Sequence, residues 1–375
     1  MLIFESAAVK QLDDIAGFIT ATGLKVEKDP TDWRDYYEND LLRALTLMEV
    51  PEPYNPMPNC GGLFGKEKVG YALQMAMAER TSRYDAGCIL ALPTPSMPGH
   101  AVSILGNETQ KDEFWSRFLQ PPERSFFAVT EPQVGSDATA GTSRIYQDGS
   151  DLVLDAHKKV VGGAVQSDYG LVFVKDERAA GHKLVIADAK TLAKLTLIRL
   201  PMHGLAAADL SEIIADKVVI DETQVLGHGL QSGLRNGFFA MNQVFERYRP
   251  IVSAQAIGVS RGILDQMFAM GVRRDILEPY FIRHKVFQQR LHDVAMAYET
   301  GSAKVHETSR MKLEAVQFAD DVVSCLFRNV PSVDLFQSPA LLKKCRDAKG
   351  YEYMEGTTNI HVLQSFRSYT AQRAS

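Results

Sequence analysis

The sequence contains few cysteines, and they form no recognisable metal or disulfide pattern. Its 375 residues include four, Cys60, Cys88, Cys325 and Cys345, and no two of them make a CxxC pair. Cysteines scattered in this way argue against both a disulfide framework and a zinc site. The nine histidines include no HExxH motif, so no metal is expected. We predict four reduced, buried thiols.

Long apolar runs and basic clusters are also missing. No stretch approaches the ~20 apolar residues of a membrane span. The first residues, MLIFESAAVKQLDD, carry acids where a secretory signal needs a basic start. The net charge is −5 and no block of consecutive basic residues is present, so the electrostatic footprint of a nucleic-acid binder is absent. We predict a cytoplasmic protein with no membrane span and no nucleic-acid partner.

Common phosphate-binding and hydrolase motifs are not found in a context that would support them. The segment GHGLQSG at residues 227–233 contains Gly-x-Gly but has the wrong spacing to its third glycine for a dinucleotide fingerprint. There is no Walker-type Gly-Lys-Ser/Thr sequence. The sequence GVSRG at residues 258–262 fits GxSxG, but it lies in the region of helical period and not at the strand-to-helix turn of a nucleophile elbow. Nucleoside triphosphatase and serine hydrolase functions are therefore poorly supported.

What is present is the composition of a globular protein whose periodicity changes twice. The chain is 45% hydrophobic and 23% charged. In the first third the period is helical, with Leu73 and Met77 on one apolar stripe. From Phe126 to about Val225 β-branched runs alternate with turn residues, and after Gly227 the helical period returns. Helices, then strands, then helices, without βαβ alternation, indicate segregated domains.

Two stretches place polar residues beside apolar ones. In GYEYMEGTTNIH, residues 350–361, Glu355 lies between aromatic and sulfur side chains and a Gly-Thr-Thr-Asn run. It is either a catalytic base or a polar turn between two apolar segments. In FFAVTEPQVGSDATAGTS, residues 126–143, a loop rich in glycine and hydroxyl groups either enters a β domain or hydrogen-bonds a flat polar heterocycle. Taken singly, neither stretch decides between its two interpretations.

Together the two stretches resemble the acyl-CoA dehydrogenase family. GNETQKDEFW at 106–115 and ERYRPIVSAQAIGVSRG at 246–262 are similar to two further motifs of that family, in the same order. The resemblance covers roughly residues 70–365. It implies an α+β multidomain protein with an N-terminal α-helical domain at 1–124, a middle β-barrel at 125–226 and a C-terminal four-helix bundle at 227–375. It also implies FAD as cofactor and a homodimer or homotetramer.

The resemblance assigns roles to individual residues. In this family a carboxylate removes the α-proton of an acyl thioester while the β-hydrogen leaves as hydride to flavin N5, and Glu355 occupies the matching place as catalytic base. A glutamate in water, with a pKa of ~4.3, is too weak a base at neutral pH, but burial against Tyr353 and Met354 would raise its pKa. The residues assigned to the cofactor are Thr130, Ser136, Val160, Gly162, Arg274, Thr357 and Asn359, and those assigned to the substrate are Ser136, Arg249 and Gly356.

The sequence also departs from the family pattern. Val160 and Gly162 stand where the family offers Trp and Thr to the flavin, and LFRNVPSVDLF at 326–336 replaces a glycine-rich segment. Lys285 stands where glutamine is usual, and His361 follows the base motif in place of the usual residue. A roomier pocket at the reacting end suggests a polar acyl group. The chain is therefore most similar to the subgroup that oxidises hydroxyacyl or aminoacyl groups on carrier proteins in polyketide and nonribosomal-peptide biosynthesis, including the colibactin aminomalonyl type.

Other functions stay open at this point. The substrate could be a CoA ester from fatty-acid or amino-acid catabolism, with an electron-acceptor flavoprotein or oxygen reoxidising the flavin. A flavin monooxygenase on the same fold would not need Glu355 as a base. A non-catalytic scaffold would be consistent only with the altered cofactor contacts.

Overall fold

The chain folds into a helical N-terminal part, a central sheet and a helical C-terminal part, which confirms the predicted α+β multidomain class. The computed structural model describes residues 2–65, 69–179, 181–229, 237–303 and 305–374. Across these ranges no helix combines the length and apolar character needed to cross a bilayer. All four cysteines are buried and free, as predicted.

The N-terminal part is built from eight α-helices within the described residues. They are α1 (Ala7–Asp14), α2 (Ala16–Lys28), α3 (Arg34–Glu38), α4 (Asp40–Leu47), α5 (Tyr71–Tyr84), α6 (Cys88–Ala91), α7 (Ser96–Leu105) and α8 (Glu108–Ser116). Leu73 and Met77 of α5 are buried, as the predicted stripe requires. Helix α8 begins with a capping box, in which the Asn107 side chain accepts from the Gln110 amide at 2.9 Å and the Gln110 side chain accepts from the Asn107 amide at 3.1 Å.

The middle part is one seven-stranded sheet. Its strands are β1 (Arg124–Ala128), β2 (Arg144–Asp148), β3 (Asp151–Gly162), β4 (Ser167–Asp176), β5 (His182–Ala187), β6 (Thr196–Arg199) and β7 (Leu210–Ile220), with the short helix α9 (Ala189–Leu192) between β5 and β6. The strand order is β1-β4-β2-β3-β7-β6, and β5 pairs with β4. Strands β1 and β2 run parallel to β4, whereas the other pairs are antiparallel.

The predicted β-barrel is wrong in one respect, because the sheet does not close. In the described residues β1 and β6 end the path and do not pair with each other. Strand β6 has only four residues, and Ile198 on it is 45% exposed. In the described residues β6 pairs only with β7, so its other edge lacks the strand that would close a barrel. The runs of β-branched residues predicted as strands do form β3, β4, β5 and β7.

The C-terminal part is helical, as predicted. Its helices are α10 (Gly237–Ala269), α11 (Arg274–Glu299), α12 (Val305–Asn329), α13 (Ser332–Phe336), α14 (Pro339–Gly350) and α15 (Thr358–Ala374). Buried side chains of α5, α10, α11, α12 and α14 share one apolar cluster. A second cluster joins Val244 of α10 to Phe173 of β4 and Val102 of α7. Apolar contacts therefore cross between the three parts. The predicted domain boundaries, between residues 124 and 125 and between residues 226 and 227, stay predictions.

Candidate active site

Glu355 lies on the turn that joins α14 to α15. Tyr351 anchors the start of this turn: its side chain is fully buried and its hydroxyl donates to the Ala86 carbonyl at 3.1 Å. Glu355 has a φ of +52° and Gly356 a φ of +100°. A glutamate rarely adopts a left-handed conformation, and such backbone persists only where its surroundings hold it in place. The turn is thus a strained segment that carries one buried acid.

Buried donors from three helices hold the backbone carbonyls of this turn. Arg249 of α10 donates from Nε to the Glu355 carbonyl at 3.3 Å. Lys312 of α12 donates from Nζ to the Glu352 carbonyl at 2.9 Å and to the Gly356 carbonyl at 2.7 Å. His361 of α15 contacts the Gly356 carbonyl through Nε2 at 3.0 Å. Three carbonyls of the seven-residue turn between Gly350 and Thr358 are therefore bound by side chains of other helices.

The carboxyl group of Glu355 is buried but is not bonded to the cations beside it. The residue is 8% exposed, and its Oε2 atom has no hydrogen-bond partner among the described residues. Burial raises the pKa of Glu355 to about 7, against the opposing attraction of Arg249 and Lys312. A carboxyl with a pKa in this range and a free oxygen is suited to accept a proton at neutral pH.

The groups around Glu355 have perturbed pKa values as well. Burial lowers the pKa of Lys312 to about 8, although the charge of Glu355 acts in the opposite direction. Burial and the nearby Lys312 and Arg249 lower the pKa of His361 to about 3, so this imidazole is neutral at physiological pH. A neutral imidazole can donate from only one nitrogen, and contact with a carbonyl requires that nitrogen to be Nε2.

Thr130, Val160 and Gly162, which the sequence assigned to the flavin, lie close together on the sheet. The Lys159 amide donates to the Thr130 carbonyl at 2.9 Å, so the two segments are in contact. The pairing of β3 with β7 shifts register between Lys158 and Val161, and in this bulge Val160 has a φ of +60° and is 52% exposed. An apolar side chain is thus presented to solvent beside a threonine.

A buried ion pair between Lys158 and Glu131 lies next to this patch and links the two segments that form it. Lys158 donates from Nζ to Glu131 Oε1 at 2.8 Å and to the Val129 carbonyl at 3.0 Å. Glu131 also accepts from the Thr142 and Ser143 amides at 2.7 and 3.0 Å. Burial alone would raise the pKa of Glu131, but these hydrogen bonds outweigh it and lower that pKa to about 2. The pair fixes the loop that carries Thr130 to the bulged strand.

The patch fits one face of a flavin ring. Val160 supplies an exposed apolar contact, and Gly162 presents backbone without a side chain. Among the described residues, and apart from the chain neighbours of Gly162, the Ala208 carbonyl alone lies within 4 Å of the position that a Cβ would take at Gly162. Thr130 lies half-buried at the edge of this surface. A flat, partly polar heterocycle is complementary to such a mixture of apolar surface and backbone groups. These residues would hold the ring of FAD.

The remaining predicted residues have no described contact with Glu355. Ser136 is exposed in the loop after β1. Arg274 begins α11, where its side chain is 76% exposed and pairs with Glu278 at 3.1 Å. Thr357 is half-buried next to Gly356, and Asn359 is exposed in the first turn of α15. Their roles toward the cofactor stay predictions. Tyr353, expected to bury the base, is instead 67% exposed.

Sequence reasoning missed Lys312 and did not assign a role to His361. The signal for Lys312 was present, because Val316 and Ala319 lie four and seven residues further along α12 and are both buried. A lysine on the apolar stripe of a helix is buried with it and needs a polar partner. Which carbonyls it would bind depends on the turn after α14, and the sequence pattern holds no information on that contact.

Comparison with known proteins agrees with this fold. Residues 126–218 match the family model described as "Acyl-CoA dehydrogenase, middle domain". Cyclohexane-1-carbonyl-CoA dehydrogenase of Syntrophus aciditrophicus is 26% identical over 274 residues, which is 72% of this chain and 68% of that protein. The 3-(aryl)acrylate reductase of Clostridium sporogenes is 23% identical over 324 residues, which is 82% of this chain and 84% of that protein.

Solved structures share the fold at low sequence identity. Acyl-CoA dehydrogenase from Geobacillus kaustophilus has a TM-score of 0.81 and 16% identity, over 97% of this chain and 98% of that one. The prolyl acyl carrier protein oxidase AnaB has a TM-score of 0.79 and 18% identity, over 97% and 99%. A glutaryl-CoA dehydrogenase from Mycobacterium smegmatis, in complex with FADH2, has a TM-score of 0.74 and 18% identity, over 95% and 94%.

The predicted resemblance to the acyl-CoA dehydrogenase family is therefore confirmed, because the middle-domain model of that family matches residues 126–218 and acyl-CoA dehydrogenases are among the relatives and solved structures that match this chain. This family consists of flavin-dependent oxidoreductases, in agreement with the predicted enzyme class and with FAD as the predicted cofactor.

Proposed function

We propose that this protein is an FAD-dependent dehydrogenase of an acyl thioester, with Glu355 as the base that removes the α-proton. The observation that supports this most strongly is the state of Glu355. It is buried, one carboxyl oxygen has no partner among the described residues, and burial raises its pKa to about 7. A structural acid would be bonded through its carboxylate, as Glu131 is, and would have a lowered pKa.

The side chains of this site supply proton transfer and charge stabilisation. The ionised carboxylate of Glu355 accepts the α-proton, and the C–H bonding electrons move toward the thioester carbonyl. Backbone at Gly356, which carries no side chain, can approach that carbonyl and stabilise the charge that develops on its oxygen. When bound, FAD supplies the acceptor for the β-hydrogen and its electron pair. Thr130, Val160 and Gly162 would hold its ring.

We further propose that the acyl group is small, carries a hydroxyl or amino substituent and is attached to a carrier protein. Val160 and Gly162 support this, because they leave a more open surface than the Trp and Thr implied by the family resemblance. A structural neighbour, AnaB, is a prolyl acyl carrier protein oxidase. Recognition of an acidic carrier domain requires a basic rim near the thioester entrance, and binding through such a rim weakens as salt rises.

A CoA thioester is the second candidate substrate, since the relative from Syntrophus is named for a CoA ester. Purified holoprotein should be mixed under anaerobic conditions with matched pairs of thioesters. Each acyl group, hydroxyacyl, aminoacyl and simple alkanoyl, is offered both on a carrier protein and on CoA. We expect bleaching of the flavin absorbance to be faster with the substituted carrier-bound species and to slow as salt is added.

Rapid reduction by butyryl-CoA to octanoyl-CoA, with none by carrier-bound species, would reject the carrier proposal but keep the dehydrogenase. Protein that binds no FAD under any reconstitution would reject both and favour the scaffold alternative. We also propose that the protein forms a homodimer or homotetramer. An electron-transfer flavoprotein or oxygen would reoxidise its reduced flavin.

A further inference from the structure

We propose that Lys312, assisted by His361, positions the catalytic turn by binding its backbone carbonyls, so that the Glu355 carboxylate stays free to accept a proton. This inference rests on the proposed function of Glu355 and assigns two residues that the family resemblance did not assign. Neither is proposed to touch the substrate, so both are positioning residues.

Lys312 is one of two buried lysines in the described residues that bind backbone carbonyls without a carboxylate partner, and the other is Lys344. The Lys312 side chain is fully buried, yet in the described part of the chain it forms no ion pair within 4.0 Å. By contrast, buried Lys158 pairs with Glu131 at 2.8 Å, and buried Lys343 pairs with both Asp85 and Asp347 at 2.6 Å. Burying an ammonium without a carboxylate partner is costly. The two carbonyl contacts of Lys312 are its compensation, and both lie on the turn that bears Glu355.

Arg249 and Lys312 bind the backbone of the turn and not the carboxylate of Glu355. If Lys312 or Arg249 donated directly to the carboxylate, the pair would stabilise the ionised form strongly and lower its basicity. Instead both donate to main-chain oxygens on either side of the Glu355 side chain, at Glu352, Glu355 and Gly356. Their charges act on the carboxylate only through space. They therefore keep a fraction of it ionised without occupying its oxygens.

His361 adds a second donor on the Gly356 carbonyl and contributes no charge. Its Nε2 lies 3.0 Å from that oxygen, while the buried Nδ1 has no partner in the described residues. The imidazole also lies against the turn, since a Cβ added at Gly356 would meet its Cε1 and Nε2 atoms at 3.4 Å. Lys312 of α12 and His361 of α15 thus bind the same carbonyl, that of Gly356, from two different helices. They differ in that only Lys312 can shift the titration of Glu355.

This difference gives two separable experimental signatures. The charged groups in and around the Glu355 site are Arg249 and Glu246 of α10, Lys312 of α12 and Glu352 of the turn, and the neutral imidazole of His361 on α15 lies beside them. Lys312→Met removes both hydrogen bonds of the lysine amine and its positive charge, whereas Lys312→Arg keeps the charge. His361→Leu removes a donor without changing charge, and His361→Gln keeps a donor. Lys344→Met is the matched control, because Lys344 is also buried and donates to a carbonyl outside the turn, that of Tyr84, at 2.8 Å.

Two measurements are made on each holoprotein variant. The first is the anaerobic rate of flavin reduction by the best thioester between pH 5 and 9. The second needs no turnover: it is the pH dependence of thermal stability, compared with the same variant carrying Glu355→Gln, which reports the titration of Glu355 alone.

We expect Lys312→Met to reduce flavin on the order of 10²-fold more slowly at neutral pH, because the base is displaced. Both the acidic limb of its rate profile and its stability transition should move to higher pH, and Lys312→Arg should restore both. His361→Leu should lower the rate without moving either transition, and His361→Gln should recover it. Lys344→Met should be less stable at every pH, with both transitions unmoved.

The inference is overturned if Lys312→Met moves neither transition, or if Lys344→Met moves them equally. If Lys312→Met does not fold, the His361 pair decides: a His361→Leu variant with the wild-type rate overturns the positioning role. If Glu355→Gln itself reduces flavin normally, the proposed function fails instead, and the two failures are distinct.

Discussion

The guanidinium of Arg249 binds the backbone of Glu355 and not its carboxylate. Nε donates to the Glu355 carbonyl at 3.3 Å, and Nη1 donates to Ser309 Oγ at 3.2 Å. The Ser309 hydroxyl in turn donates to Gln364 at 2.7 Å, so the contact continues from α10 through α12 to α15. A cation that holds the main chain stabilises the turn without bonding the oxygens that must accept a proton.

Replacing Arg249 should disturb both stability and titration. We expect Arg249→Gln to lose about 1.5–3 kcal/mol of unfolding free energy, because hydrogen bonds from a charged donor are removed. The attraction that holds down the pKa of Glu355 is also lost, so the acidic limb of flavin reduction should move to higher pH. Chemical denaturation and the pH–rate profile measure the two effects. Arg261→Gln on the same helix, which breaks a half-buried pair with Asp265 at 2.8 Å, is the control and should cost less than ~1 kcal/mol.

The stability of the protein should fall with pH because of Glu355. Its folded-state pKa is about 7, against 4.5 for the ordinary group, so the folded protein binds a proton that the unfolded chain releases between these values. The contribution of the protonated group is complete below pH 4.5 and is lost as pH rises through 7. Relative to Glu355→Gln, the wild type should lose about 3 kcal/mol over this interval. A constant difference between the two proteins from pH 4 to 8 would show that the pKa is not raised.

The buried pair of Lys158 and Glu131 should be critical for the sheet. Lys158→Met leaves the Glu131 carboxylate buried without its cation, which should cost about 3–5 kcal/mol of unfolding free energy. Since the folded pKa of Glu131 is depressed to about 2, its contribution is present above pH 4.5 and is lost as pH falls toward 2. Lys159→Met is the matched control. Lys159 is the next residue along the strand, and its amine pairs with Glu212 near the surface at 3.2 Å. Equal losses in urea denaturation of the two variants would contradict this account.

Arg274 should affect retention of the cofactor and little else. If it contacts an FAD phosphate, as the family resemblance implies, Arg274→Ala should weaken FAD binding by about 1.5–3 kcal/mol. Its described partner, Glu278, forms only an exposed pair, so stability of the apoprotein should change by less than ~1 kcal/mol. Equilibrium dialysis against FAD measures the effect. Arg273→Ala removes an adjacent exposed arginine paired with Asp275, and it should retain FAD normally.

The sequence predicted those features that depend on local pattern. The period of the apolar residues indicated the order of helices, strands and helices, and β-branched runs located β3, β4, β5 and β7. The missing closure of the sheet could not be predicted, because it depends on how few residues β6 contributes and on what lies beside it. Glu355 was assigned as the base from its motif, and that assignment stays a prediction.

The surroundings of Glu355 were less accessible to sequence reasoning. Lys312 lies 43 residues before Glu355 along the chain, and it meets the turn only after α12 and α14 have packed. Burial of the base was expected from Tyr353, which is exposed, and comes instead from the packed helices around the turn. Contacts of this kind are set by tertiary packing, which a local pattern does not encode.

The central claim is that Glu355 accepts the α-proton of a thioester bound beside FAD. Glu355→Gln keeps the size of the side chain but cannot accept that proton. The most direct measurement is anaerobic stopped-flow reduction of the flavin by the best thioester, in wild type and in Glu355→Gln holoprotein of equal FAD content. We expect the variant to bind FAD normally and to reduce it at least ~10²-fold more slowly. A variant that reduces its flavin at the wild-type rate would contradict the claim.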